Sequence, residues 1–350
     1  MRPIVQCQLI NDPFGDPGLY AEFMFERRAL LFDLGDLRAL STRKLLRVSH
    51  TFVSHAHLDH FVGFDQLLRI FLGREKVIAL YGPAGFIDQV EHKLRAYTWN
   101  VIQNYAGTLC LEVVEVLTEG EMRAARFQSR QAFRRESMPA PAVRGDVLAA
   151  RNGFRVRCAV LDHGTPCLAF ALEEQAHVNI WKNKLDERGL AVGPWLRDLK
   201  RAILENEADT TPIRALGRGS RGLEPVTLHL GMLRELVAVV PGQKIAYVVD
   251  ARYHEANARK IERLAHDVDL LFIESVFLDE DAEQAARKNH LTARQAGLLA
   301  RRAQAKRMVP FHFSPRYVEC ENDLRAEAER AFLGLDGGAP PRPIDSLAIY

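Results

Sequence analysis

The chain has 350 residues, 47% of them hydrophobic, enough to bury a substantial core in one large domain or two modest ones, which excludes disorder of the whole. Its formal net charge of +2 neither favours nor excludes an anionic partner such as nucleic acid. Five scattered cysteines (Cys7, Cys110, Cys158, Cys167, Cys320) without C-x-x-C spacing argue against a disulfide framework and a thiolate zinc site, and no stretch approaches the roughly 18 apolar residues of a membrane span, so a cytoplasmic protein without a membrane partner is expected.

In chain order, β-rich apolar runs occur at 20–25, 28–35, 50–56, 76–82 and 109–116, and later at 154–163, 167–174, 244–251, 270–277 and 307–313. Helical stripes lie between them. Phe86, Val90, Leu94 and Tyr97 share one face of 86–99, and 254–267, 290–304 and 320–333 carry similar patterns. Strands interleaved with helices define the α/β class. Between about 173 and 225 the pattern becomes irregular and rich in Gly and Pro, as expected of an inserted arm or substrate-specificity element in an otherwise single domain spanning 1–350. Two basic stretches, Arg123 to Arg135 and Lys182 to Arg201, fit solvated faces or phosphate contacts equally well. The tail is rich in Gly and Pro from 334 to 343, and 345–350 could add an edge strand.

The strongest signal is SHAHLDH, where His55, His57, Asp59 and His60 follow a strand-like run and precede a helical one. Two histidines one residue apart can grip one ion from an extended segment, while a turn presents Asp59 and His60 to a second. Further ligands stand at the ends of strand-like runs: His163 closes FRVRCAVLDH, Asp250 closes KIAYVVD and His312 closes MVPFH. Taken singly, His163 and His312 read as packed rim histidines and Asp250 as a helix N-cap before ARYHEANARK. Paired with the cluster, they make two spheres: His55, His57 and His163 for one ion, Asp59, His60 and His312 for the other. Imidazole and carboxylate donors suit two Zn2+, with Mn2+ or Fe2+ also possible. Each ion would keep an open position for a shared water whose pKa falls toward 7.

Together these residues resemble the metallo-β-lactamase superfamily, an αββα sandwich, and within it the ribonuclease Z branch that trims the 3′ trailer from precursor transfer RNA. FDLGD, SHAHLDH, DHGTP, VVDAR and FHFSPRY match its five motifs across most of the chain. The resemblance implies that Asp250 bridges the ions and that Asp33 steadies the loop without ligating. It also implies that Glu274 orients His290 as the general acid for the departing alkoxide, while metal-bound hydroxide attacks. LDERGLAVGPWLRDLK is similar to the family's transfer RNA-holding arm, which makes Arg197 and Lys200 candidate phosphate contacts; Arg316 is a third substrate-binding candidate. A homodimer is likewise implied. The sequence departs from the family at Val249-Asp250-Ala251, Glu274-Ser275-Val276 and Gly63-Phe64-Asp65, and the family's N-terminal glycine-threonine segment is not recognisable. These departures keep open a small-molecule hydrolase of the same fold, such as a cyclic-nucleotide phosphodiesterase, a lactonase or a thioesterase. A non-catalytic RNA- or protein-binding module with a structural metal site is a third reading.

Overall fold

The computed structural model describes residues 4–335 apart from 25, 119, 142–144, 152 and 220–221. The edge strand expected at 345–350 lies outside the described residues. No helix among them is long and apolar enough to cross a membrane.

The chain divides into two compact units. The first comprises 1–173 and 243–350 and is built on two sheets. One holds β1 (Val5–Leu9), β2 (Leu19–Phe23), β3 (Ala29–Phe32), β4 (Val48–Phe52), β5 (Lys76–Pro83), β6 (Leu109–Thr118), β7 (Glu121–Gln128) and β8 (Arg135–Met138), side by side in that order. Strands β3 to β6 run parallel. The other takes β9 (Val147–Arg151), β10 (Phe154–Asp162), β11 (Pro166–Glu174), β16 (Lys244–Val248), β17 (Leu270–Glu274) and β18 (Met308–Phe311), with β16 to β18 parallel.

The inner faces of these sheets share one apolar layer, where Phe32 and Phe52 from the first sheet meet Phe170 and Tyr247 from the second at ring separations of 5.7 to 6.1 Å. Helices cover the outer faces. Phe64–Phe71 buries Phe64, Leu67, Leu68 and Phe71, the i, i+3, i+4, i+7 stripe of an amphipathic helix, against the first sheet together with Phe86–Arg95. Glu255–Leu264 and Ala293–Arg302 cover the second. The layers are therefore helix, sheet, sheet, helix. Strands β4, β16 and β18 end in the loops that carry SHAHLDH, Asp250 and His312, and Glu274 is the last residue of β17.

The second unit, Glu174–Gly242, leaves the chain after β11 and returns before β16. It pairs β12 (His177–Ile180) with β15 (Val237–Val240), and β13 (Pro212–Gly219) with β14 (Gly222–His229) in a hairpin. Its own apolar cluster gathers Leu185, Trp195, Leu199, Ile213 and Leu233. The segment that reads as irregular in sequence thus contains regular strands. Residues of β14 are mostly exposed, so no buried alternation marks that strand.

Candidate metal centre

Strand β4 positions the histidine cluster. Thr51, Phe52, Val53 and Ser54 have no exposed surface, which fixes where the chain leaves the sheet, and the short helix Leu58–Phe61 begins directly after His57. Asp33, at the end of β3, steadies this loop. One of its oxygens accepts the Ser54 amide at 2.6 Å, and the other lies 3.0 Å from Ser54 Oγ, 2.9 Å from His60 Nδ1 and 3.0 Å from the Tyr247 hydroxyl. Donating Nδ1–H to Asp33 leaves His60 Nε2 as a lone pair, the usual way an outer carboxylate sets the tautomer of a ligating imidazole. His163 is oriented in the same manner, with Nδ1 donating to the Asn289 carbonyl at 2.9 Å.

Ligand atoms of His55, His57, His163 and Asp250 lie within 4.8 Å of one another, and so do those of Asp59, His60 and His312. Asp250 joins the groups. Its Oδ2 is 3.4 Å from His55 Nε2, 3.5 Å from His60 Nε2 and 3.2 Å from His163 Nε2, while Oδ1 is 2.9 Å from His312 Nδ1. Asp59 Oδ2 lies 3.4 Å from His60 Nε2 and 3.6 Å from His312 Nε2. Asp33, Asp250 and His312 all adopt positive φ (59°, 49° and 58°), a conformation that costs non-glycine residues energy and concentrates at functional sites. The helix after Asp250 starts at Glu255 with His254 as its N-cap, so capping does not account for Asp250.

The donors fit divalent cations. His55 Nε2 and His60 Nε2 are buried without a hydrogen-bond partner, and orphaned buried polar atoms call for a missing partner. Electrostatics agree. Burial disfavours the charged forms of His60 and His312, yet Asp250 above all raises both well beyond the ordinary histidine range. Burial likewise opposes ionisation of Asp250, but His60 and His312 hold it well below the usual carboxylate range. The cluster attracts positive charge at its centre. Burial and the neighbouring His60 push His55 down to about 2, and burial with His163 lowers His57, leaving neutral lone pairs as metal ligation requires.

Beside the ligands lies a second buried constellation. Glu274 Oε2 accepts His290 Nδ1–H at 2.8 Å, and Oε1 accepts the amides of Ala251 at 2.8 Å and Leu291 at 3.1 Å. Burial works against the charge on His290, but Glu274 raises its pKa above the ordinary value. His57, Asp59, His163, Asp250, His290 and His312 line one cavity of about 480 Å3, and Arg287, Lys288 and Asn289 complete its wall. Those last three are absent from the sequence reading, although a basic helix end capped by a left-handed Asn289 directly before His290 was a usable signal. Arg316 does not line this cavity: it pairs with Asp281 at 3.0 Å and stands over the Phe277 ring. Arg197 and Lys200 are exposed on the helix Trp195–Leu204 of the second unit.

A family model described as a beta-lactamase superfamily domain matches residues 204–313. The fold is shared with the metallo-beta-lactamase fold protein YhfI of Bacillus subtilis (14% identity, TM-score 0.52, covering 94% of this chain and 93% of that one). It is shared too with the short form of human tRNase Z (17% identity, TM-score 0.50, covering 89% and 93%). Fold and ligand constellation together define a member of the metallo-β-lactamase superfamily. Ribonuclease Z of Deinococcus radiodurans is 30% identical over 328 residues, 91% of this chain and 92% of that protein. The chain belongs to the ribonuclease Z family.

Proposed function

We propose that this protein is a metal-dependent endoribonuclease that removes the 3′ trailer of precursor transfer RNA, using two zinc ions. The observation that carries this reading is the meeting, at one cavity, of a divalent-metal ligand set with a histidine held by a buried carboxylate. His55, His57 and His163 would hold one ion, Asp59, His60 and His312 the other, with Asp250 between them. Bound divalent ions supply Lewis-acid activation of water and neutralise charge on the phosphoryl oxygens. His290, as the imidazolium that Glu274 favours, donates Nδ1–H to Glu274 and gives its Nε2 proton to the departing 3′ oxygen. Arg287 and Lys288 add positive charge where a phosphodiester must sit.

The insertion, with Arg197 and Lys200, would hold the transfer RNA through its phosphates, and the active form would be a homodimer. The family name of the relatives supports the RNA substrate. The test is incubation of zinc-loaded protein with a precursor transfer RNA carrying a 3′ trailer, mapping the cut and its end groups. A cut at the trailer junction that leaves a 3′ hydroxyl and is abolished by chelator is expected. Hydrolysis of a simple phosphodiester without cleavage of the RNA would overturn the substrate assignment.

A further inference from the structure

A second cavity, of about 300 Å3, shares Asp59, Lys288, His290 and His312 with the first but lacks the ligands His57 and His163. It therefore lies where Asp59, His290 and His312 bound the metal centre, away from His57 and His163. Its chemistry differs. Where the first cavity carries Arg287, the second is walled by Phe14, Pro17, Phe277 and Phe313 and bears the Asp16 carboxylate. Aromatic faces beside a carboxylate suit a nucleobase, which stacks and offers donor groups. The volume is at the lower end for small-molecule sites, room for one nucleoside.

Phe14 is the one partly exposed ring of the three and is already held in place. Its edge packs on Phe313 (5.5 Å between centroids, 73° between planes), its amide donates to Asp12 Oδ1 at 2.9 Å, and the neighbouring Pro13 carbonyl accepts the Phe313 amide at 2.7 Å. A ring fixed this way loses little freedom when a base stacks on it. Phe277, whose ring lies 6.3 Å from that of His290, ties the same wall to the proposed proton donor.

We infer that this cavity is the subsite for the base of the nucleotide whose 3′ oxygen departs, with Phe14 as its stacking platform; the assignment of side rests on the proposed role of His290. The experiment compares a precursor transfer RNA with its natural base, or an abasic residue, immediately 5′ of the scissile phosphate, cut by wild type, Phe14→Ala and Phe14→Tyr. Removing the base should slow wild type roughly tenfold, within the range of single-base stacking. Phe14→Ala should lose as much on the natural substrate but less than twofold on the abasic one, and Phe14→Tyr should restore the rate. Equal losses by Phe14→Ala on both substrates would overturn the subsite and leave Phe14 as a support of its loop. A second readout does not depend on cleavage: a dinucleotide diester with 2-aminopurine as the 5′ base should be quenched by zinc-loaded wild type and not by Phe14→Ala. Quenching without any cleavage of the RNA would keep the subsite and reject the transfer RNA substrate, whereas identical quenching by both proteins would reject the subsite.

Discussion

Glu274 has no exposed surface, and its two oxygens accept from His290, Ala251 and Leu291, so the proposed catalytic role and a structural one meet in one carboxylate. Separate substitutions distinguish them. His290→Ala should keep full metal content and lose roughly 100-fold or more in rate, the usual weight of a positioned proton donor. Metal analysis beside turnover checks this, and unchanged turnover would remove His290 from the chemistry. Asp59→Ala should instead lose turnover through loss of metal. Glu274→Ala should also lower stability, because two buried amides lose their acceptor at about 1–3 kcal/mol each, visible in a thermal melt. Glu327 gives a pH prediction away from the metal. Burial raises its pKa above the ordinary value, although the amides of Asp279 and Arg294 favour its charge. The folded state therefore prefers the protonated form: this contribution is complete below the unfolded pKa of about 4.3 and is lost as pH rises through the folded value. Glu327→Gln, which can still accept both amides, should match wild type in melting temperature near pH 4 and exceed it increasingly at higher pH.

Among elements, the helices Ala293–Arg302 and Glu321–Leu333 pack at a distance set by small residues. A methyl group at Gly297 would lie 2.2 Å from the Ala328 carbonyl oxygen, a backbone atom that cannot swing away. Alanine for glycine within a helix ordinarily gains up to about 1 kcal/mol; here overpacking, at about 1–3 kcal/mol, should win. Gly297→Ala is thus expected to lower the denaturation midpoint, and a rise would show that the helix pair can separate at no cost. That glycine reads in sequence only as a weak helix position. What was legible followed from local density: SHAHLDH concentrates four donors in six residues, and strands buried on both faces, such as Leu168 to Leu172 in β11, stand out as continuous apolar runs. Helix ends were overrun, 86–99 closing in fact at Arg95 and 290–304 at Arg302. Strand β7 escaped notice because its arginines mask the buried Ala124, Ala125 and Phe127. The support that Asn289 gives His163 is illegible for another reason. It comes through a main-chain carbonyl, which any residue type supplies.

For the whole molecule, cation binding should contribute strongly to stability. A ligand at a thousandfold excess over its dissociation constant adds about 4 kcal/mol, so chelation should lower the melting temperature and zinc should restore it. A melt indifferent to chelator would mean that the buried Asp250 and its histidines are satisfied without an ion. The path of the chain at 174 and 242 has a different consequence. β11 and β16 are antiparallel neighbours in register from Phe170 opposite Tyr247 to Glu173 opposite Lys244, and a side-chain carbon at Gly242 would come within 2.1 Å of the Glu174 carbonyl oxygen. The 68 residues between 174 and 243 therefore begin and end at one spot, where a two-residue Asn-Gly turn could close the strands directly. Excision should leave a folded protein that still takes up metal and hydrolyses a small diester while losing affinity for RNA; failure to fold would show that the two units need each other. In evolutionary terms such a junction works like a socket: the catalytic body can keep its chemistry while the piece plugged into this hairpin is lengthened, traded or lost.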